Sequence, residues 1–219
     1  AFQEIDFGSQ RSFQVNQLEE ITKGVNYKHA SQVVNWDKTY VPFPYGLPNR
    51  HFGRILSGQA IASHFPIQEH ERVVLETVAS SPFWRTAFYI DRLAEVTQLS
   101  VNGKSLIVIN VHLEAYDKET RLIQSKTVLK LYKKYAKDYP VLLIGDFNSH
   151  PKNETVKNPT IDVFLNEPSL KSAVAEADLR ANNQMTYPSD KPIEKIDYIF
   201  YTQDKIEILD ARVIHEIGT

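Results

Sequence analysis

Apolar and polar positions change rhythm several times along the chain, and each rhythm predicts an element. Phe2 and Ile5, in the opening Ala1-Phe2-Gln3-Glu4-Ile5-Asp6, read as the end of a strand, with a loop over residues 7–10. Val15, Leu18 and Ile21 recur at the spacing of one helix face, and Gly24 supplies a C-terminal stop. Residues 33–54 are rich in Pro, Tyr, Gly and Asn without a sustained period, which predicts a long irregular surface loop. Strands are predicted over 72–78, 93–101 and 104–113, the last two joined at Asn102-Gly103, where both residues tolerate positive φ. In residues 120–139, Leu122, Val128, Leu129, Leu131, Tyr132, Tyr135 and Ala136 alternate with lysines as in an amphipathic helix, closed by Pro140. Val141-Leu142-Leu143-Ile144 is a continuous apolar run, the pattern of a strand buried on both faces. Short helices are predicted from Thr160 and from Ser169, a clear strand over 196–201 and a weaker one over 206–213.

Many strands joined by hairpins, with helices interspersed and no internal repeat or linker, argue for one α/β domain of two packed sheets covered by helices. The 219 residues and 42% hydrophobic content suffice for one large core. A formal charge of −2 provides no global basic field, so a nucleic-acid partner would require a local patch. Zero cysteines exclude disulfides, thiolate metal sites and a cysteine nucleophile, and leave the compartment open. No apolar stretch approaches the roughly 20 residues of a membrane span. A monomer is expected.

The candidate chemistry lies where apolar strands end on an acid, amide or imidazole. Strand alternation puts Asn110 and His112 on one face, and likewise Asp146 and Asn148, while Gly145 permits a close backbone approach. His112 also reads as an ordinary histidine bonded at a strand end, and Asp146 as a turn former. Asp197 sits between Ile196 and Tyr198 in an apolar strand, where an unpaired carboxylate costs several kcal/mol and so demands a partner such as a metal, a histidine or Lys195. Glu4 ends the first apolar run in the same manner, or is simply a solvated surface acid.

Together these residues form an ordered series: Gln3-Glu4, Asn110-Val111-His112-Leu113, Gly145-Asp146-Phe147-Asn148 and Ile196-Asp197-Tyr198. The series resembles the endonuclease/exonuclease/phosphatase superfamily, which includes DNase I-like nucleases, apurinic-site endonucleases, sphingomyelinases and inositol-polyphosphate phosphatases. The resemblance spans nearly the whole chain. It implies a four-layer α/β sandwich, two mixed sheets face to face with helices outside, and a metal-dependent hydrolysis of a phosphodiester or phosphomonoester. By the same resemblance Glu4 is a ligand to Mg²⁺ or Mn²⁺, and Asp146 orients and deprotonates the attacking water. Asn148 holds that water or a phosphate oxygen, and His112 donates to the phosphate. Asp197 orients a histidine that the family carries in a Ser-Asp-His motif near its C-terminus.

The chain ends without that motif, and His215 is a poor substitute for its histidine; family members also carry a strand with a metal-site Asn ahead of the Gln-Glu strand. A single domain over residues 1–219 lacking the family's first and last strands is therefore expected. An alternative is a phospholigand-binding module that keeps the fold without hydrolysis. A structural Ca²⁺ site fits less well, because the spaced oxygen ligands of a calcium loop are missing.

Substrate choice depends on loops. Trp36, Tyr40, Phe43, Tyr45 and Phe52, beside Lys38, Arg50 and His51, either stack on a ligand or pin their segment to the body, and Pro82-Phe83-Trp84-Arg85 invites the same two readings. With so little net charge, a small or lipid-borne phosphoester is expected ahead of duplex DNA, with nucleic acid a possible partner if a local patch exists.

Overall fold

A computed structural model of the protein describes residues 1–44, 48–79, 82, 87–151 and 159–214. Phe83, Trp84, Arg85, Tyr45 and His215 therefore lie outside the described residues. The strands are β1 (Phe2–Asp6), β2 (His29–Pro44), β3 (His51–Ser63), β4 (Ile67–Val74), β5 (Leu93–Val101), β6 (Lys104–His112), β7 (Val141–Asp146), β8 (Leu170–Ser172) and β9 (Asp197–Thr202). The helices are α1 (Gln17–Gly24), α2 (Lys118–Ala136) and α3 (Pro159–Leu165). Both longer helices begin on a side-chain cap: Asn16 accepts from the Glu19 N–H at the start of α1, and Asp117 from the Thr120 N–H at the start of α2.

One sheet has three strands in the order β1-β3-β2, all antiparallel, and the other six in the order β4-β5-β6-β7-β9-β8, with β6 and β7 parallel. On the outer face of the larger sheet, Ile107, Ile109, Val111, Val141, Leu143 and Phe200 pack against Val128 and Tyr132 of α2 and Ile161 and Phe164 of α3. On the outer face of the smaller sheet, Ile5, Phe7 and Ala60 receive Leu18 of α1. The inner faces meet each other, giving the expected order of helix, sheet, sheet and helices. Residues 93–101 and 104–112 form the expected hairpin over a turn at Asn102-Gly103.

What the two sheets bury between them is largely polar. Gln59 donates to the Asn110 carbonyl (2.9 Å), Ser31 donates to Glu95 (2.7 Å), and both Asn110 and Glu95 are fully buried. An apolar patch of Ile61, Leu99 and Val108 completes the interface toward the far end.

The polar interface explains a correction. Within the segment 33–54, residues 33–44 and 51–54 are not an irregular loop but the greater part of β2 and the start of β3, which pair antiparallel. Their inward positions mix the polar Ser31, Asn35, Ser57 and Gln59 with Val33, Ile55 and Ile61, and bulges interrupt the register between Val34 and Trp36 and again beyond Lys38, so no sustained apolar alternation survives. Trp36 and Phe52 are half-buried and pack edge to face, as pinning aromatics do, whereas Tyr40 and Phe43 are exposed.

Two further expectations are corrected. The segment after Pro168 turns into the short strand β8, paired with β9, instead of a helix. Residues 206–213 form no strand, since the chain there leaves the sheet after β9. Val141 and Leu143 are fully buried under the helices, while Leu142 and Ile144 on the inner face are only half-buried. No described helix is long and apolar enough to cross a membrane.

Candidate active site

Register across the larger sheet aligns the chemistry. His112 is the partner of Leu93 on one side and of Asp146 on the other, and Asp146 is the partner of Asp197. Opposed residues in a sheet share a face, so imidazole and both carboxylates point toward the smaller sheet from one row. The tight spacing depends on Gly145. Its φ is +133°, and a Cβ there would lie 2.1 Å from the Val111 carbonyl oxygen. Only glycine lets β7 approach β6 so closely at this point.

The next three residues divide their labour by direction. Asp146 Oδ1 accepts from the Asn148 N–H (2.7 Å), so the aspartate does form a turn, and Asn148 enters the left-handed region (φ 47°). The Asn148 carboxamide donates to the Leu113 carbonyl (2.9 Å), tying this turn to the end of β6. Phe147 points the other way, fully buried edge to face against Phe164, Tyr198 and Phe200. Its N–H donates to the Ile196 carbonyl, and the Tyr198 hydroxyl donates to the Ser149 carbonyl (2.8 Å), so the Asp146 and Asp197 segments are mutually braced.

Glu4 comes from the smaller sheet. Phe2 pairs with Ala60 and Ile5 with Gly58, so Gln3 and Glu4 together oppose the single residue Gln59. This is a β-bulge with Glu4 in the left-handed region (φ 52°), and it aims the carboxylate across the gap between the sheets. Glu4 Oε1 lies 3.8 Å from His112 Nε2, and Asp146 Oδ2 lies 3.6 Å from the same nitrogen. Thus Glu4, His112, Asp146, Asn148 and Asp197 gather at one end of the packed sheets.

The sequence reading missed Arg92 and its partners. The Arg92 guanidinium is buried, donates to His112 Nε2 and to the Tyr89 hydroxyl (2.8 Å), and lies 3.6 Å from Glu114. Arginine carries only donors, so His112 Nε2 must accept. The ring proton then sits on Nδ1, a buried atom with no hydrogen-bond partner among the described residues. The available signal was Asp91-Arg92 leading directly into an apolar strand, a weaker cue than the carboxylate inside a strand that singled out Asp197.

Burial and mutual repulsion tune the acids. Asp146 is pushed up to about 7, first by desolvation and then by the adjacent Asp197, with Glu4 adding to the rise; the Asn148 N–H and Arg92 pull the other way. Burial raises Asp197 as well, against Thr186 and Lys195. His112 is held well below the usual imidazole range, by burial first and by the Arg92 charge second.

The donors suit a hard cation. Among the described residues no three His, Asp or Glu already form a chelating group. Mg²⁺ needs less than that, since it retains several waters and takes only one or two carboxylates. Glu4, with a half-exposed carboxylate, could provide one, and a dication beside it would also ease the repulsion that, after burial, raises the proton affinity of Asp146.

Comparison with the curated proteins finds no sequence match. Solved structures share the fold. The human Nocturnin catalytic domain with bound sulfate is 16% identical, with a TM-score of 0.57 over 86% of this chain and 65% of that one. An endonuclease/exonuclease/phosphatase from Beutenbergia cavernae is 19% identical, with a TM-score of 0.59 over 87% of this chain and 50% of that one. Staphylococcus aureus beta toxin with bound magnesium ions is 21% identical, with a TM-score of 0.54 over 87% of this chain and 67% of that one. The chain thus spans about half to two thirds of the length of these neighbours. The Endonuclease/Exonuclease/phosphatase family model matches residues 1–218, and the chain belongs to that family.

Proposed function

We propose that this chain carries the hydrolytic centre of a divalent-metal-dependent phosphoesterase. The observation that carries the reading is the convergence of Glu4 and Asp146 on His112 from opposite sheets, with Asp146 held at about 7. A base with its pKa near the working pH is the most effective one. Asp146 takes the proton of the attacking water, whose oxygen bonds to phosphorus as the ester oxygen departs. Asp197, beside it, keeps the proton affinity of Asp146 high. Asn148, with its amide nitrogen fixed on Leu113, has its carbonyl oxygen left to orient that water. Glu4 would hold Mg²⁺ or Mn²⁺, which when bound would supply charge neutralisation on the phosphoryl oxygens. With His112 Nε2 accepting from Arg92, the guanidinium is the fixed positive charge of the site, and His112 acts on the phosphate by holding Arg92 in place.

The test is hydrolysis of bis-p-nitrophenyl phosphate with Mg²⁺ or Mn²⁺. EDTA should abolish turnover, and Asp146→Asn should lower kcat far more than it raises KM. Full activity in EDTA, or an unaffected Asp146→Asn protein, would contradict the mechanism. For the substrate class we propose a small or lipid-borne phosphoester, on the ground of the net charge of −2. Side-by-side turnover of plasmid DNA, abasic-site DNA, sphingomyelin and inositol phosphates at fixed salt decides it, and efficient DNA nicking that weakens steeply with salt would overturn it.

A further inference from the structure

The bulge that aims Glu4 is held from between the sheets. Asn110 lies opposite Glu95 in the β5–β6 register, and both side chains point into the interface, fully buried. The Asn110 carboxamide accepts from Gln3 Nε2 (2.5 Å) and donates to the Phe2 carbonyl (3.1 Å), so it contacts the bulge residue Gln3 and the residue before it. Its nitrogen also faces the Ala60 carbonyl (3.4 Å), the β3 partner of Phe2, and Glu95 Oε2 (3.3 Å). Glu95 in turn accepts from Ser31 (2.7 Å), which fixes the carboxyl group and with it the side on which Asn110 presents its NH₂. A left-handed, non-glycine residue persists only where its surroundings over-determine it. Here Asn110 does so for the residues before Glu4, and Arg11, bound to Asp6 and 3.5 Å from the Glu4 carbonyl, does so from the other side.

We propose that Asn110, oriented by Glu95, is a positioning residue that sets the Gln3-Glu4 bulge and thereby the affinity of the site for a divalent cation. The inference rests on the reading of Glu4 as a cation ligand. Neither Asn110 nor Glu95 touches the cation; they act through Gln3 and the Phe2 backbone. Side chains that orient a ligand in this way typically govern affinity by about 10- to 100-fold.

The experiment is Mn²⁺ binding by electron paramagnetic resonance, with the metal-induced rise in Tm as a second readout, for the wild-type protein, Gln3→Ala, Asn110→Ala and Glu4→Gln. Gln3→Ala removes one half-buried side chain and keeps the result decisive if Asn110→Ala does not fold. The expected result is a Kd for Mn²⁺ raised about tenfold in Gln3→Ala and Asn110→Ala, with a correspondingly smaller metal-induced Tm rise. In saturating Mn²⁺, kcat on bis-p-nitrophenyl phosphate should return to within about threefold of wild type, since the reacting groups are untouched. A purely structural role would lower the metal-free Tm and leave the Kd unchanged, and that outcome overturns the proposal. If wild type binds no Mn²⁺, or Glu4→Gln binds as tightly as wild type, the cation site itself falls and the inference with it. Wild-type binding lost in Glu4→Gln but intact in the other two variants sinks the positioning role alone.

Discussion

Replacing Glu95 by glutamine should flatten the dependence of folding stability on pH. Glu95 is fully buried between the sheets, and desolvation holds its carboxyl up at about 7 against an ordinary 4.5, even though Ser31 and Asn110 donate to it. A group whose pKa is raised on folding binds its proton more tightly in the native state. Its contribution is fully present below pH 4.5 and is lost as the pH rises through about 7. At about 1.4 kcal/mol per pH unit, the separation amounts to about 3 kcal/mol, a large share of the roughly 5–15 kcal/mol that keeps a domain folded. Glutamine has nearly the same shape and does not titrate, so it removes the pH term and retains an oxygen for Ser31. The assay is urea unfolding between pH 4.5 and 8 in EDTA, which keeps cations out of the comparison. Asp146 also has a raised pKa and weakens both proteins alike over this window, so it cancels in the difference. Wild type should lose about 3 kcal/mol more than Glu95→Gln across the range. A parallel decline in the two proteins would refute the reasoning.

Phe147→Ala should cost about 3–5 kcal/mol in the same unfolding assay, because it empties the centre of a four-ring cluster; a loss under about 1 kcal/mol would show the cluster to be loosely packed. Gly145→Ala combines a forbidden φ with a 2.1 Å contact to backbone and should destabilise by more than about 2 kcal/mol, whereas wild-type stability would mean that β6 and β7 separate easily. Arg92→Met should let the His112 imidazole titrate at higher pH than in wild type, followed by NMR, since the guanidinium is one of the two causes that depress it. An unmoved titration would remove Arg92 from the account of His112. Asp146→Asn should lower kcat by at least about 100-fold at saturating Mn²⁺.

How much of this was legible in the sequence depended on which groups a strand buries. Val141 to Ile144 announced β7 because the strand is apolar throughout, and Asn102-Gly103 announced its hairpin because few other pairs accept that backbone. The β2–β3 hairpin stayed hidden because its buried face interleaves Ser31, Asn35, Ser57 and Gln59, which hydropathy reads as exposed, with Val33, Ile55 and Ile61, and bulges break the alternation. All five predicted site residues were recoverable as strand-end polar groups, and they do converge. The means of convergence were not recoverable: the left-handed backbone at Glu4 and the approach at Gly145 exist only once strands pair. Arg92 escaped because a single arginine ahead of a strand ordinarily marks a solvated end, and its burial follows from Glu114 and Tyr89, neither adjacent in sequence. The single-proton state of His112 was equally out of reach, since it is set first by burial and then by that arginine.

The site is assembled from two layers that are held unequally. Asp146 and Asp197 are rooted through Phe147 and Tyr198 in the large cluster under α2 and α3, while Glu4 belongs to a sheet whose own cluster is Ile5, Phe7, Leu18 and Ala60. Segments with less buried apolar contact open at lower free energy. The layer with less apolar support should open at the lower free energy, and it carries the proposed cation ligand. An ion bridging the layers would be a clasp between them, and amide protons of β1 and β3 should then exchange more slowly with cation present, while those of β6 and β7 stay as they were.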